Sequence, residues 1–150
     1  MSYTVLPVTA AHQLFAQVVN LFDDYRGHFG ANPAPDATDW WLRQQLTWDR
    51  MRVFAAVAGD KVSGIATVAV LPASLTLRTV WMVHDLYTNP GHRRSGIARA
   101  LLAHLTEAAR DEGANTISLQ LDAGNTAAQE LYLSYGFEPV TDVTTLSRRI

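Results

Sequence analysis

The segment from Asp85 to Ala98 carries the densest chemistry in this chain of 150 residues. Asp85-Leu86-Tyr87-Thr88 reads as the end of a strand, and Asn89-Pro90-Gly91 as the turn that stops it. His92-Arg93-Arg94-Ser95-Gly96-Ile97-Ala98 then leads into a helix. Arg93 and Arg94 add positive charge, while Ser95, Gly96 and Ala98 are small enough for main-chain N–H groups to approach a ligand closely. The first N–H groups of a helix have no partner within it, and the helix dipole makes that end electropositive. Together these features suit a diphosphate. Any one of them is as well explained by an ordinary strand-to-helix connection with surface arginines; their order along the chain favours the anion site. The segment is not a Walker A loop, since no Gly-Lys-Ser/Thr closes it, and it lacks the Gly-x-Gly-x-x-Gly of a dinucleotide fold.

The elements that must position this turn follow from hydrophobic periodicity. Tyr3–Val8 reads as a strand, Thr9 as a helix N-cap, and Leu14, Phe15, Val18, Leu21, Phe22 and Tyr25 as one face of the helix it opens. Residues 31–37 hold Pro33 and Pro35 and read as a loop before a short helix over about 38–49. The valine-rich runs 53–57 and 62–71, separated by Ala58-Gly59-Asp60-Lys61, form a hairpin. A strand over about 79–88 precedes the basic turn. The helix 95–112 places Ile97, Leu101, Leu105 and Ala108 on one side and ends at Gly113. A strand at 117–121, a helix at 125–135 stopped by Gly136, and two last strands at 137–140 and about 144–149 complete the chain. The expected fold is therefore α/β (α+β): one domain over residues 1–150 with a mixed, mostly antiparallel central sheet flanked by helices on both faces.

Composition narrows the function classes. A hydrophobic fraction of 48% supports a real core, and a net charge of −2 offers no basic excess for nucleic acid. No apolar run reaches the length of a membrane span, and residues 1–5 do not begin a signal peptide. With no cysteine, a disulfide framework, a zinc-thiolate site and a cysteine nucleophile are excluded. A cytoplasmic protein with no nucleic-acid or membrane partner is the expectation.

Arg93-x-x-Gly96-x-Ala98, with Asp85-Leu86-Tyr87 and Pro90 ahead of it, resembles motif A of the GNAT superfamily of N-acetyltransferases. Asn125-x-x-Ala128-x-x-Leu131-Tyr132-x-x-Tyr135-Gly136-Phe137 resembles its motif B. Two motifs in the right order are far more specific than either alone. Ala98 stands where glycine is commoner, which the pattern permits. The spacing is most similar to the branch containing diamine and histone acetyltransferases. The resemblance implies acetyl-CoA as co-substrate, with no metal. It implies that main-chain amides of Arg93, Arg94, Ser95, Gly96, Ile97, Ala98 and Arg99 hold the diphosphate, and that Leu86, Tyr87 and Thr88 pair with the pantetheine arm. A bulge that splays this strand is a family feature which the residues themselves do not reveal.

Acetyl transfer to an amine requires that the amine lose a proton, that the thioester carbonyl take up an electron pair and that the thiolate be protonated as it leaves. Ala128, Leu131, Tyr132 and Tyr135 share a helix face. Spacing alone makes Tyr132 a core aromatic; the resemblance makes it the thiolate-facing acid. Asn125 either caps its helix or, if Thr126 takes that role in a capping box with Gln129, is left to bind pantetheine. His84 occupies the position of an acidic base in polyamine-type members; it is a base or a buried, satisfied histidine. Asp85 is structural or relays protons through water. Alternation on a strand allows at most one of His84 and Asp85 to face the cleft.

The loop between the first two helices usually walls the acceptor site in such enzymes. Asp23, Asp24, Asp36 and Asp39, with Tyr25, His28, Phe29, Trp40 and Trp41, can attract and stack a cationic amine there, or can be a solvated helix end and core. A small-molecule primary amine is the first expectation and a protein lysine or N-terminal amine the second. A non-catalytic acyl-CoA-binding sensor is the rival class. Members of the superfamily are often dimers, so a homodimer is expected.

Overall fold

The computed structural model describes residues 2–150. The chain forms two compact units, one ending at Gln120 and the other Leu121–Ile150. The first contains β1 (Thr4–Val8), α1 (Phe15–His28), α2 (Pro35–Thr47), β2 (Arg52–Ala58), β3 (Lys61–Ala73), β4 (Arg78–Thr88), a single 3₁₀ turn at Pro90–His92, α3 (Ile97–Asp111) and β5 (Thr116–Leu119). The second contains α4 (Thr126–Ser134).

The five strands form one sheet in the order β1-β2-β3-β4-β5. β1 to β4 pair antiparallel, while β5 lies parallel to β4 because α3 carries the chain back across the sheet. Val53, Ala55 and Ile65 pack under Phe15, Val18 and Leu42 of α1 and α2. The intervening Phe54, Ala56, Ala66 and Val68 face the other way, onto Ile97, Leu101 and Leu105 of α3. Helices thus cover both faces, as expected. Burial on both sides is why β2 and β3 are mostly apolar rather than alternating. Leu101, Leu102 and Leu105 are fully buried, each contributing about 1.5–3 kcal/mol by leaving water.

Three expectations are corrected. Pro35, read as loop, opens α2: it sits in the first turn, where its fixed φ fits and its missing N–H costs nothing. Thr9 does not cap α1; its carbonyl accepts from the N–H of His12 in a preceding turn, and the helix begins at Phe15. Residues 137–140 and 144–149 form no strand among the described residues. Pro139 removes a ladder donor from the first stretch. The second has Leu146 as its one large apolar side chain, and that side chain is exposed. Period-2 spacing makes a strand only where a partner ladder and an apolar face accompany it.

Asp23 joins α1 to α2. Its Oδ1 accepts from Thr38 Oγ1 at 2.7 Å and from the Arg26 guanidinium at 2.9 Å, and Oδ2 accepts from the Ala34 N–H at 3.1 Å. Burial pushes this carboxyl up, but the bonds from Thr38, Ala34 and Arg26, with the Arg26 charge, outweigh it and hold Asp23 below the ordinary carboxylate value. A carboxylate depressed by folding stabilises fully above its unfolded value, about pH 4, and ceases to do so as pH falls through its lower folded value. Asp23→Asn should cost about 1–3 kcal/mol at pH 7. It should also flatten the acid side of the stability curve, which thermal melts between pH 7 and pH 3 would show.

Candidate functional site

A break in the β3–β4 ladder builds the centre of the site. Thr67 pairs with Asp85 and Val68 with Val83, so His84 is an extra residue on β4 with no partner opposite. An inserted residue shifts the alternation of everything beyond it. Before the bulge, Trp81 and Val83 point to the α3 face. After it Leu86 takes that side, and Tyr87 packs on the α1 face. His84 itself is exposed, so the buried-histidine reading does not hold. Asp85 accepts a hydrogen bond from the hydroxyl of Thr67, which is fully buried. β3 carries a matching irregularity at Ser63, and the carbonyl of Ser63 takes the N–H of Asn89 at 2.9 Å. This bond pins the exit of β4.

The basic turn follows directly. Asn89 Oδ1 accepts from the Gly91 N–H at 3.0 Å, and the Ser95 hydroxyl, bonded to the His92 carbonyl, also accepts from Tyr3 Oη at 3.1 Å. Arg94 and Gly96 adopt left-handed φ of 64° and 85°. The two reversals turn successive N–H groups toward one side, as in an anion-binding nest. Gly96 is the N-cap of α3 with no side-chain cap, so the amides of the first turn keep their donors for a ligand. Arg93, Arg94, Ser95 and Gly96 are exposed, whereas Ile97 is buried and Ala98 half-buried. This donor set and its charge fit a diphosphate.

Gly64 is a site residue that the sequence reading passed over. A Cβ there would lie 2.3 Å from Ile97 Cγ2 and 3.3 Å from the Tyr87 carbonyl oxygen. Glycine lets the start of α3 sit directly on β3, next to the bulge. A lone glycine inside a valine-rich strand was the available signal. Thr67 was also missed; a hydroxyl inside an apolar run needs a buried partner, and Asp85 is that partner. Gly64→Ala should destabilise by about 1–3 kcal/mol through overpacking. It should weaken coenzyme binding as well, and Ile97→Ala should be less harmful in that background than in the wild type. Thermal melts of the single and double variants check the stability terms, and calorimetric titration with acetyl-CoA checks the binding.

In the second unit, Asn125 caps α4: its Oδ1 accepts from the Ala128 N–H at 3.2 Å. The alternative in which Thr126 caps and frees Asn125 does not hold for that oxygen, since Thr126 bonds back to the Gly124 carbonyl instead. Tyr132 is half-buried, with its ring edge-on to Phe137 at 5.8 Å. Burial raises its phenol above the ordinary value and so favours the protonated form.

The acidic residues around the first two helices do not form one face. Asp23 is bound as described, and Asp39 pairs with Arg43 at 2.6 Å. The aromatics remain. Tyr87 lies edge-on to Tyr25 at 5.5 Å and 6.0 Å from the His28 ring, with the Arg93 guanidinium 5.8 Å above it.

A bulged strand thus leads into a left-handed, amide-rich turn and a helix N-terminus, an arrangement that suits a diphosphate-bearing ligand. The model of the acetyltransferase (GNAT) family matches residues 15–137, and the chain belongs to that family. It is an N-acetyltransferase of mixed α/β fold. It is similar to the uncharacterized N-acetyltransferase YhfO of Bacillus subtilis (strain 168), with 23% identity over 84% of this chain and 85% of that protein. It is also similar to the [ribosomal protein bS18]-alanine N-acetyltransferase of Escherichia coli (strain K12), 31% identical over 62% of this chain and 59% of the relative. A solved structure of a probable acetyltransferase superposes with a TM-score of 0.91 at 25% identity, covering 98% of this chain and 97% of the other.

Proposed function

We propose that residues 1–150 act as one domain that moves the acetyl group of acetyl-CoA directly onto the primary amine of a small molecule. The observation that carries this reading is the pairing of the His84 bulge with the left-handed turn at Arg94 and Gly96. The main-chain donors of 93–99 hold the diphosphate, and the freed edge at Leu86, Tyr87 and Thr88 receives the pantetheine amides. The side-chain N–H₂ of Asn125 remains a donor for the same arm. The family model runs through both units, which supports a single catalytic domain.

In this reading the chain supplies positioning first, since holding amine and thioester together removes most of the entropic barrier. The bond from nitrogen to the acetyl carbon forms as the bond from that carbon to sulfur breaks. His84, exposed at the bulge, takes the proton the amine must shed, directly or through water. Asp85, bonded to Thr67, fixes the strand beside it and can relay that proton onward. Tyr132 gives its phenolic proton to the departing sulfur, a task its burial suits by keeping the proton on.

A second reading, acetylation of a protein amine, draws on the similarity to the bS18-alanine enzyme. Calorimetric titration with acetyl-CoA followed by a thiol-release assay across amines tests the proposal. Heat of binding with amine-dependent thiol release supports it. Binding without release to any amine or peptide would leave a sensor, and no binding would remove the reading.

A further inference from the structure

We propose that the acceptor is an amine on an aromatic or comparably apolar body, held against the rings at the end of α1, in preference to a flexible polyamine. This inference rests on the transferase reading and names the substrate class of that same site. Within the first unit, the α3 face of the bulged strand is closed. Ile97 and Leu101 are 1% and 0% exposed, and Ile97 sits directly on Gly64. Beyond the bulge, Tyr87 goes to the opposite face, and Asp85 bonds Thr67 beside it. An acceptor reaching the strand in this unit therefore meets it from the α1 side.

What waits there, beyond Asp85, is a set of rings. Phe29 is 64% exposed and lies edge-on to Tyr25 at 5.2 Å and to His28 at 5.3 Å. Tyr25 and His28 in turn touch Tyr87, and Trp41 stacks on Phe22 at 6.2 Å. A ring that is two-thirds exposed on a sheet-facing cluster offers an apolar surface with nothing over it. Asp23 and Asp39 are paired with Arg26 and Arg43. Asp85 keeps its charge at the strand, since its partner is the neutral Thr67 hydroxyl, and can meet the reacting amine there. A further cationic centre carried past it toward Tyr87 would meet the Arg93 guanidinium over that ring.

The test compares phenethylamine with putrescine in the thiol-release assay, with acetyl-CoA affinity measured separately by calorimetry. We expect kcat/KM for phenethylamine to exceed that for putrescine by at least about tenfold, from its contacts with these rings. Phe29→Ala, at an exposed position that folding does not need, should narrow that ratio severalfold and leave the acetyl-CoA Kd unchanged. Equal use or a preference for putrescine overturns the inference, as does a ratio untouched in Phe29→Ala. Turnover of neither amine by a protein that binds acetyl-CoA also overturns it while the transferase reading stands. Failure to bind acetyl-CoA at all is the distinct result that removes the reading beneath it.

Discussion

Acetyl-CoA should lose at least about a hundredfold in affinity when Gly96 becomes glutamate, and two physical terms produce the loss. Gly96 holds φ at 85°, a left-handed conformation that costs an L-residue about 1–2 kcal/mol. A Cβ there meets no protein atom within 4 Å, so the new side chain enters open space at the turn where the proposed diphosphate belongs. A carboxylate some 4 Å from that anion is repelled by about 4 kcal/mol at a surface-like dielectric. Together these exceed the ~2.7 kcal/mol that a hundredfold loss requires. Gly96→Ala separates the terms, because it keeps the strain and omits the charge; it should lose no more than about thirtyfold. Calorimetric Kd values for the three proteins check the prediction, and equal affinity in Gly96→Glu would dismiss the turn as the anion site. The Arg93 and Arg94 side chains stay in place in every variant, so a change reports on the main chain.

Tyr132→Phe should lower kcat by about 10²–10⁴-fold, the usual range for loss of a positioned proton donor. Acetyl-CoA affinity should barely change, because the phenyl ring keeps its edge contact with Phe137 and only the hydroxyl is removed. Burial raises the Tyr132 phenol, so the protonated donor persists above pH 10, its ordinary value. The wild-type kcat profile should therefore show no loss from this group below that pH. A variant with wild-type kcat would return Tyr132 to a packing role, which is what its helical spacing alone suggests. The contrast with Gly96→Glu is diagnostic: one variant should fail in binding, the other in turnover.

Much of the site was legible because its chemistry is written in contiguous residues. From Asp85 to Arg99 the chain specifies strand, stop, basic turn and helix start in one local stretch, and local order is what sequence patterns report. Asn125 was legible as a choice, and the cap geometry made it. Gly64 and Thr67 were invisible as site residues because their meaning lies across the sheet, in Ile97 and Asp85. The choice between an acidic wall and a solvated helix end was open for the same reason. Asp39 meets Arg43 one turn along its helix, which spacing allows, but Asp23 is engaged by Thr38 and Ala34 of the following segment.

By itself the sequence determined the two-layered burial of the strands, the amphipathic α3, the amide-rich turn and the family these imply, since periodicity and turn chemistry are local. The tertiary structure decided the register. One unpaired residue, His84, reversed the faces of Leu86 and Tyr87 and set Tyr87 among the rings of α1. Register is a property of two strands at once, set by how side chains from distant segments pack, and no reading of one strand contains it.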